Sequence, residues 1–343
     1  MPKDKIIAFD SLRVFAIFSV IVLHSSVSPF LCSYPSFNWE VANIYEAFSR
    51  WNVAVFFMIS GALFLRKSKP LNLKRLYSKN VLRIIIVFLF WSTIYAGYEI
   101  FINCKEKFTI FDALNGPHHF WFLKTLIGLY ILIPIFKYII SKKKFEQIFL
   151  IITFFLGIVT PSTFAIIGIF NHELENTLIN FYNQFNIQLI STYSFYFVVG
   201  HYFVEYPIKN YFKYLLYLLG IISPFIVMSL TRYVSDINNN PFVAFLGNEF
   251  IGTALEAMAI FVLFISYTKI NKYSHHFSRL SNYVFGIYIV HILIMYILPH
   301  FGIHPTAYNP LYFIPSYSLI VFAISFIIVA ILLRIPIVNK WLL

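Results

Sequence analysis

The stretch Asp10–His24, DSLRVFAIFSVIVLH, lies in the first long apolar run of the chain, yet it carries an acid, an arginine and a histidine. Arg13 and His24 are eleven residues apart, almost three helical turns, so both side chains project from one face of a helix. Their separation along the axis is about 16 Å, roughly half the thickness of a hydrocarbon core. Asp10 shares that face and can pair with Arg13. Ionisable side chains along one face of a membrane helix predict a functional site.

A simpler interpretation of this stretch is structural. Asp10 and Arg13 lie near the start of the run, where their side chains can reach the headgroups. His24 precedes Ser25 and Ser26 at the far end of the run. We favour the functional interpretation because arginine inside the hydrocarbon costs about 2.5 kcal/mol or more unless it has a partner.

The composition of the chain predicts a membrane protein. Of its 343 residues, 59% are hydrophobic and 12% are charged, and its mean hydropathy is +0.76, values that soluble domains do not reach. No hydrophilic stretch is long enough to fold separately, so we expect a single membrane domain over 1–343 without a soluble accessory domain. The first apolar run is too long for a signal peptide and lacks a small-residue cleavage site, so we expect no cleaved signal.

Ten apolar segments have about the 20 residues that a spanning helix needs. They are 6–28, 44–65, 82–102, 119–140, 147–169, 187–204, 211–230, 243–267, 282–299 and 314–338. The sixth segment is short and rich in tyrosine. The sequence therefore predicts an all-α, polytopic membrane helix bundle with about ten transmembrane helices.

Charge predicts the orientation of this bundle. The connections after the even-numbered segments carry the cations, whereas 29–43 and 300–313 carry none. By the positive-inside rule both termini are then cytoplasmic, and the net charge of +12 indicates topology and anionic lipid, not nucleic acid. Cys32 and Cys104 fall on the outer side, where they either form a disulfide or remain free thiols.

Two further stretches stand out toward the cytoplasmic side. Phe56–Gly61, FFMISG, contains a Ser-Gly pair that in an apolar helix usually permits close packing. Lys79 and Arg83 open the third segment, where basic side chains are typical snorkelling anchors.

Two other stretches carry histidine. His119 and Trp121 enter the fourth segment from outside, where tryptophan is typical of an interfacial belt. Tyr288 and His291 lie inside the ninth segment, where a core histidine paired with a backbone or hydroxyl group is the ordinary interpretation. Glu256, inside the eighth segment, has no obvious partner; it is protonated, paired within the bundle or part of a site.

The order and spacing of these stretches resemble the acyltransferase-3 family of integral membrane acyltransferases, which modify bacterial surface glycans and related molecules. The specific match is Arg13 and His24 with ten residues between them, followed by FFMISG, by HFWFL at 119–123 and by YIVH at 288–291. The resemblance spans nearly the whole chain.

The resemblance implies that His24 is the essential catalytic histidine and that Arg13 is its essential partner. It also implies a basic donor-binding position at Arg83, with Lys79. The sequence departs from the family there, because a proline common shortly after this arginine is absent from Ile84–Ile86.

The chemistry of these residues suits the acyl donor that we expect, acetyl-CoA. Acetyl-CoA is cytoplasmic and anionic, and Arg13, Lys79 and Arg83 all lie toward the cytoplasmic side. His24 lies deeper, where neutral imidazole can take a proton from an acceptor hydroxyl or, alternatively, accept the acyl group transiently. We expect Asp10 to hold Arg13 in place and Ser60 to contribute to donor binding.

The acceptor that we expect is a hydroxyl of a surface or lipid-linked glycan. The candidate substrate-binding residues are His119, Trp121, Tyr288 and His291, with the tyrosines around Tyr193 and Tyr196 completing an outer platform. Aromatic faces suit the apolar faces of pyranose rings, although belt packing explains the same aromatic residues.

The sequence thus predicts a multi-pass O-acetyltransferase of the bacterial cytoplasmic membrane. We expect no metal, because the sequence has no Cys/His cluster of the zinc type, and it has neither a phosphate loop nor a G-x-S-x-G elbow. The alternative is a polysaccharide transporter or exporter, since intramembrane charge suits transport as well as catalysis. A membrane-embedded sensor or scaffold is a third and weaker interpretation.

Overall fold

The computed structural model describes residues 3–68, 70–101, 109–187, 191–267, 274–306 and 308–343, and these residues form a bundle of helices without a β-strand. The helices are α1 (Lys3–Cys32), α2 (Phe37–Ser49), α3 (Trp51–Phe64), α4 (Leu82–Phe101), α5 (Ile110–Asn115), α6 (Trp121–Ile131), α7 (Ile133–Ile139), α8 (Lys143–Phe154), α9 (Thr160–Phe170), α10 (His172–Asn183), α11 (Thr192–Glu205), α12 (Asn210–Asn238), α13 (Ile251–Tyr267), α14 (Ser274–Ser281), α15 (Val284–Ile297), α16 (Pro310–Leu332) and α17 (Pro336–Trp341). The predicted all-α fold is confirmed.

Within the described residues, eight helical stretches are long and apolar enough to cross a membrane, or nine if one bent pair forms a span. The eight are Ile7–Cys32, Phe37–Phe64, Leu73–Ile100, Lys143–Phe170, Asn210–Asn238, Ala244–Tyr267, Val284–Phe301 and Pro310–Leu332. The bent pair, His118–Ile131 with Ile133–Ile139, changes direction by 57°. Pro134 lies at the bend, where proline removes a helical hydrogen bond. The multi-pass architecture predicted from the apolar segments is therefore present.

The remaining predicted segment corresponds to α11, which has only 14 residues. Its length is about 21 Å, against about 30 Å for a hydrocarbon core, so it is too short to cross by itself. It packs very closely on α3: a Cβ at Gly61 would overlap the backbone of Phe197, and one at Gly200 would overlap the backbone of Met58. The FFMISG stretch thus permits close helix packing through its glycine.

Helix α1 is central to the bundle and touches α2, α3, α13, α14, α15 and α16. Leu12, Ala16, Ile17 and Ile21 are fully buried in the main apolar core. Because these residues fill one side of α1, its polar residues at the helix ends are held at defined positions against neighbouring helices.

The cationic connections meet at the end of the bundle where α1 begins. The Lys67 ammonium donates to the Tyr206 hydroxyl at 2.8 Å, and Lys143 lies 4.7 Å from the centre of the same ring. Lys137 donates to the carbonyl of Arg66. We call this the basic end of the bundle.

The opposite end contains the turn between α1 and α2 and the amphipathic helix α10. The Tyr34 hydroxyl ties that turn to α12 by donating to the Ser235 carbonyl at 3.0 Å. Cys32 is exposed at this end. Cys104 lies outside the described residues, so the two alternatives, a disulfide or two free thiols, are both untested.

Candidate active site

A cavity of about 380 Å³ opens among α1, α3, α4, α6 and α15. Seven of the ten residues predicted for the site line it: Arg13, His24, Ser60, Arg83, His119, Trp121 and Tyr288. Its lining contains two arginines and, among the described residues, no acidic side chain. We call it the basic cavity. Helices that are far apart in sequence therefore bring most of the predicted site residues to one space.

Asp10 lies beside this cavity without lining it and fixes Arg13 from behind. Its carboxylate is 7% exposed and lies 3.4 Å from the Arg13 guanidinium. Ser278 donates to Asp10 Oδ2 at 2.6 Å, and Ser281 donates to Oδ1 at 3.0 Å. These hydrogen bonds offset the free-energy cost of burying the carboxylate. Asp10 thus joins α1 to α14 and orients the guanidinium toward the cavity.

Three histidines meet at the deep end of the cavity. The ring centroid of His291 lies 5.4 Å from that of His24 and 5.4 Å from that of His119. The Tyr288 hydroxyl donates to the His119 carbonyl at 2.7 Å and so connects α15 to the start of α6. His291 does not line the cavity and lies behind His24.

The hydrogen bonding of His291 defines its tautomer. Its Nδ1 lies 2.7 Å from the Tyr288 carbonyl oxygen, which only accepts, so Nδ1 carries the proton. In the neutral ring Nε2 is therefore a free acceptor, and it has no hydrogen-bond partner among the described residues. The His119 Nε2 is likewise buried and unpartnered there. This end of the cavity offers unused groups for proton exchange or hydrogen bonding.

An ion pair that the sequence analysis missed lies next to His24. Glu46, fully buried, pairs with Arg50 one turn later on the α2–α3 span. Ser26 donates to the other carboxylate oxygen of Glu46 at 2.8 Å. Arg50 also interacts electrostatically with His24. An acid and a base four residues apart in an apolar segment are a signal that could have found this pair.

The shallow part of the cavity, toward Arg13, carries hydroxyl groups. Ser60 is hydrogen-bonded to Tyr130, which also interacts with Arg13. Both hydroxyls line the cavity. Ser60 and Gly61 of the FFMISG stretch therefore have different roles. The serine faces the cavity, whereas the glycine packs against α11.

The two basic residues at the start of the third span differ in position. Arg83 lines the cavity and donates to the Leu343 carbonyl at 2.7 Å, so the C-terminal residues close this side. Lys79 is exposed on the π-helical turn Leu76–Val81 and does not line the cavity. Its neighbour Asn80 does. Of the predicted basic pair, only Arg83 reaches the cavity.

The sequence also raised two other points, metal binding and the role of Glu256. No group of three His, Cys, Asp or Glu side chains in the described part of the chain could hold a metal ion. Glu256 is 5% exposed on α13 and does not line the basic cavity.

The helices and the cavity define a multi-pass membrane protein with a cavity inside the bundle that carries polar and basic side chains. A family model described as an acyltransferase domain matches residues 6–330, nearly the whole chain. The chain belongs to the acyltransferase-3 family and is a membrane acyltransferase. It matches neither a curated protein nor a solved structure.

Proposed function

We propose that the protein transfers an acetyl group from acetyl-CoA to a hydroxyl of a surface or lipid-linked glycan. The observation that carries this proposal is the convergence of Arg13, Arg83 and His24 on one cavity whose described lining has no acidic side chain. Such a cavity suits an anionic donor, since guanidinium groups bind phosphates through charge-assisted hydrogen bonds.

The donor enters from the basic end, which faces the cytoplasm of a bacterial cell in this proposal. Positive connections at that end support the orientation. Arg13 and Arg83 hold the phosphates, exposed Lys79 attracts them at the surface, and Ser60 contacts the donor in the shallow part of the cavity, near Arg13. The membrane-embedded chain acts as a single domain.

Arg13 and His24 are too far apart to contact the same part of the donor. Eleven residues of helix place them about 16 Å apart along the axis, so they cannot both touch the thioester. The extended pantetheine arm bridges this distance, with its phosphates at Arg13 and its acetyl group near His24. Arg13 therefore binds the donor, and Asp10 positions Arg13.

His24 acts as the general base in the transfer. The acceptor oxygen attacks the thioester carbonyl carbon, a C–O bond forms, and the hydroxyl proton passes to His24. The tetrahedral intermediate then collapses with cleavage of the C–S bond, and His24 returns the proton to the leaving thiolate. The products are the acetyl ester and CoA. His119, Trp121 and Tyr288 surround the acceptor hydroxyl on the side away from Arg13, and His291 supports His24 from behind.

The decisive experiment supplies radiolabelled acetyl-CoA to inside-out membrane vesicles and follows the label into the glycan-lipid fraction. We expect labelling with the wild-type chain and none with His24→Ala. The matched control is His275→Ala, because His275 is exposed on α14 outside the cavity. If His24→Ala labelled the glycan as much as the wild-type chain, His24 would not be the catalytic base. Glycan that crosses the membrane without gaining label would favour the transporter.

A further inference from the structure

A second cavity, of about 400 Å³, lies at the end of the bundle opposite the basic end. Its lining includes Glu175, Glu249, Ser191 and Tyr193, and none of its described lining residues is lysine, arginine or histidine. We call it the acidic cavity. None of its residues belongs to the basic cavity.

The short helix α11 creates this space, because it begins inside the bundle at Thr192 instead of crossing it. A π-helical turn, Phe155–Val159, packs against that beginning. Thr192 donates to the Gly157 carbonyl at 2.8 Å, and Tyr182 donates to the Leu156 carbonyl at 2.7 Å. π-helical turns often occur at functional sites, because they shift the backbone out of the regular helical register. Here the turn holds the cavity walls together.

The polar groups of the acidic cavity are built into the fold. Glu175 is 8% exposed, packs directly over Gly168 and lies 2.9 Å from His172 Nδ1. Ser191 lines the cavity and is 2% exposed, and its hydroxyl has no hydrogen-bond partner in the described part of the chain. A buried hydroxyl without a partner costs free energy that a bound ligand can recover.

The second carboxylate stands at the more open side of the cavity. Glu249 is exposed and interacts electrostatically with Arg50, which itself does not line the cavity. Arg50 also interacts electrostatically with His24, so one guanidinium lies within electrostatic range of both Glu249 and the catalytic histidine. The acidic cavity therefore approaches the reaction centre.

A single layer of aromatic rings separates the two cavities. The ring of Tyr193, from the acidic cavity, lies 5.4 Å from that of Trp121, from the basic cavity. Phe57 lies 5.1 Å from Tyr193 and 4.8 Å from Phe122, which also lines the basic cavity. The faces of aromatic rings suit the apolar faces of a sugar ring.

Building on the proposed function, we infer that the acidic cavity binds the acyl acceptor as a pyranose ring that carries no acidic group. Carboxylates accept hydrogen bonds from sugar hydroxyls, and Ser191 supplies both a donor and an acceptor. The same two carboxylates repel uronic acids and phosphorylated sugars, as like charges do. From this cavity one hydroxyl of the ring passes the Tyr193–Trp121 contact and reaches His24.

The first experiment measures sugar binding without acyl transfer. The full chain, with Cys32→Ala, Cys104→Ala and Ser191→Cys, is reconstituted in lipid nanodiscs and modified with a neutral maleimide. The probes are the methyl glycosides of glucose, galactose and mannose, each paired with its uronic acid. We expect at least one neutral glycoside to slow the modification several-fold and its uronide to leave the rate unchanged.

The charge dependence is tested with Glu175→Gln and Glu249→Gln, after which the uronide should also protect the thiol. Glu173→Gln is the matched control, because Glu173 is an exposed neighbour on α10 that does not line the cavity. Asn183→Cys, at an exposed lining position, replaces Ser191→Cys if that variant does not fold. Protection by none of the neutral glycosides, or equal protection by the uronides, overturns the inference.

The second experiment links the cavity to catalysis, using a glycoside that protects the thiol as the acceptor and labelled acetyl-CoA as the donor. We expect Glu249→Gln to raise the KM for the acceptor by about 10-fold, the loss of one hydrogen bond to a charged group, and to leave the KM for acetyl-CoA unchanged. If a glycoside protects the thiol but receives no acetyl label through His24, the proposed function is rejected and the sugar site stands. If the vesicle assay shows acetyl transfer while no glycoside protects the thiol, the sugar site is rejected and the proposed function stands.

Discussion

The basic and acidic cavities are similar in size but opposite in charge. Among the described lining residues, the basic cavity holds Arg13 and Arg83 and no acidic side chain, whereas the acidic cavity holds Glu175 and Glu249 and no basic side chain. A donor with phosphates suits the first cavity, and a neutral sugar suits the second. The comparison suggests that charge sorts the two substrates to opposite ends of the bundle.

This arrangement reduces what has to cross the membrane. In the proposed reaction the phosphates of the donor stay with the arginines, and only the acetyl group has to reach the aromatic layer near Trp121 and Tyr193. Moving the charged head of the donor through the hydrocarbon would carry a large free-energy cost. The division into two cavities therefore makes acyl transfer across the bundle physically reasonable.

The largest effect should come from the histidine that the basic cavity presents to the acceptor. His24→Ala should lower the rate of acetyl transfer by about 10²–10⁴-fold, the usual contribution of a general base, at unchanged protein level in the membrane. Acid-quenched samples of wild-type protein should carry no label, since the base does not become acylated. Label that stays on the wild-type protein and is absent from His24→Ala would show a covalent acyl-enzyme instead.

The next effect tests the basic character of the first cavity. Arg13→Ala should raise the KM for acetyl-CoA by about 10–100-fold, because a charge-assisted contact worth about 1.5–3 kcal/mol is lost. The KM for the acceptor should stay unchanged. Asp10→Asn should have the same selectivity and a smaller effect. If only the KM for the acceptor changed, Arg13 would bind the acceptor and not acetyl-CoA.

A third variant disturbs the packing that keeps the cavities apart. Gly61→Ala should destabilise the protein by about 1–3 kcal/mol, the usual cost of overpacking, because the new Cβ overlaps the backbone of Phe197. Gly128→Ala is the matched control, since no atom lies near its added Cβ. Thermal unfolding in detergent should show a lower Tm for the first variant only. Equal Tm values would mean that α3 and α11 are not held in close contact.

The smallest effect should come from the aromatic layer. Tyr193→Ala should join the two cavities, admit water to the thioester and raise the release of CoA without acceptor by several-fold. Tyr193→Phe keeps the ring and should behave as wild type in this assay, which follows free thiol with a chromogenic reagent. Unchanged CoA release in both variants would show that the layer does not separate the two spaces.

The local features of the helices were predictable from the sequence. Apolar runs of about 20 residues predicted the all-α membrane bundle, and helical periodicity placed Arg13 and His24 on one face. Seven of the ten predicted site residues line one cavity. The resemblance to family motifs allowed this grouping, because periodicity within one helix does not tell which helices are neighbours.

Other features depended on packing between distant segments. Lys79 matched the family pattern, but the π-helical turn leaves it exposed and places Asn80 at the cavity. The buried Glu46–Arg50 pair was overlooked beside the FFMISG motif in the same segment. The four-residue spacing of the pair is visible in the sequence, whereas the hydrogen bond from Ser26 on α1 to Glu46 depends on how two helices pack.

The sequence by itself determined the membrane class, the helices and the polar face of α1, since rise and rotation per residue are local properties of the backbone. Only the tertiary structure decided that α11 packs tightly on α3, and that Glu175, on a helix that looks solvated, is buried and lines the same cavity as Ser191. Nearly every helix is apolar, so hydrophobicity marks which segments enter the membrane without specifying their partners. Those partners are decided by close contacts such as Gly61 against Phe197.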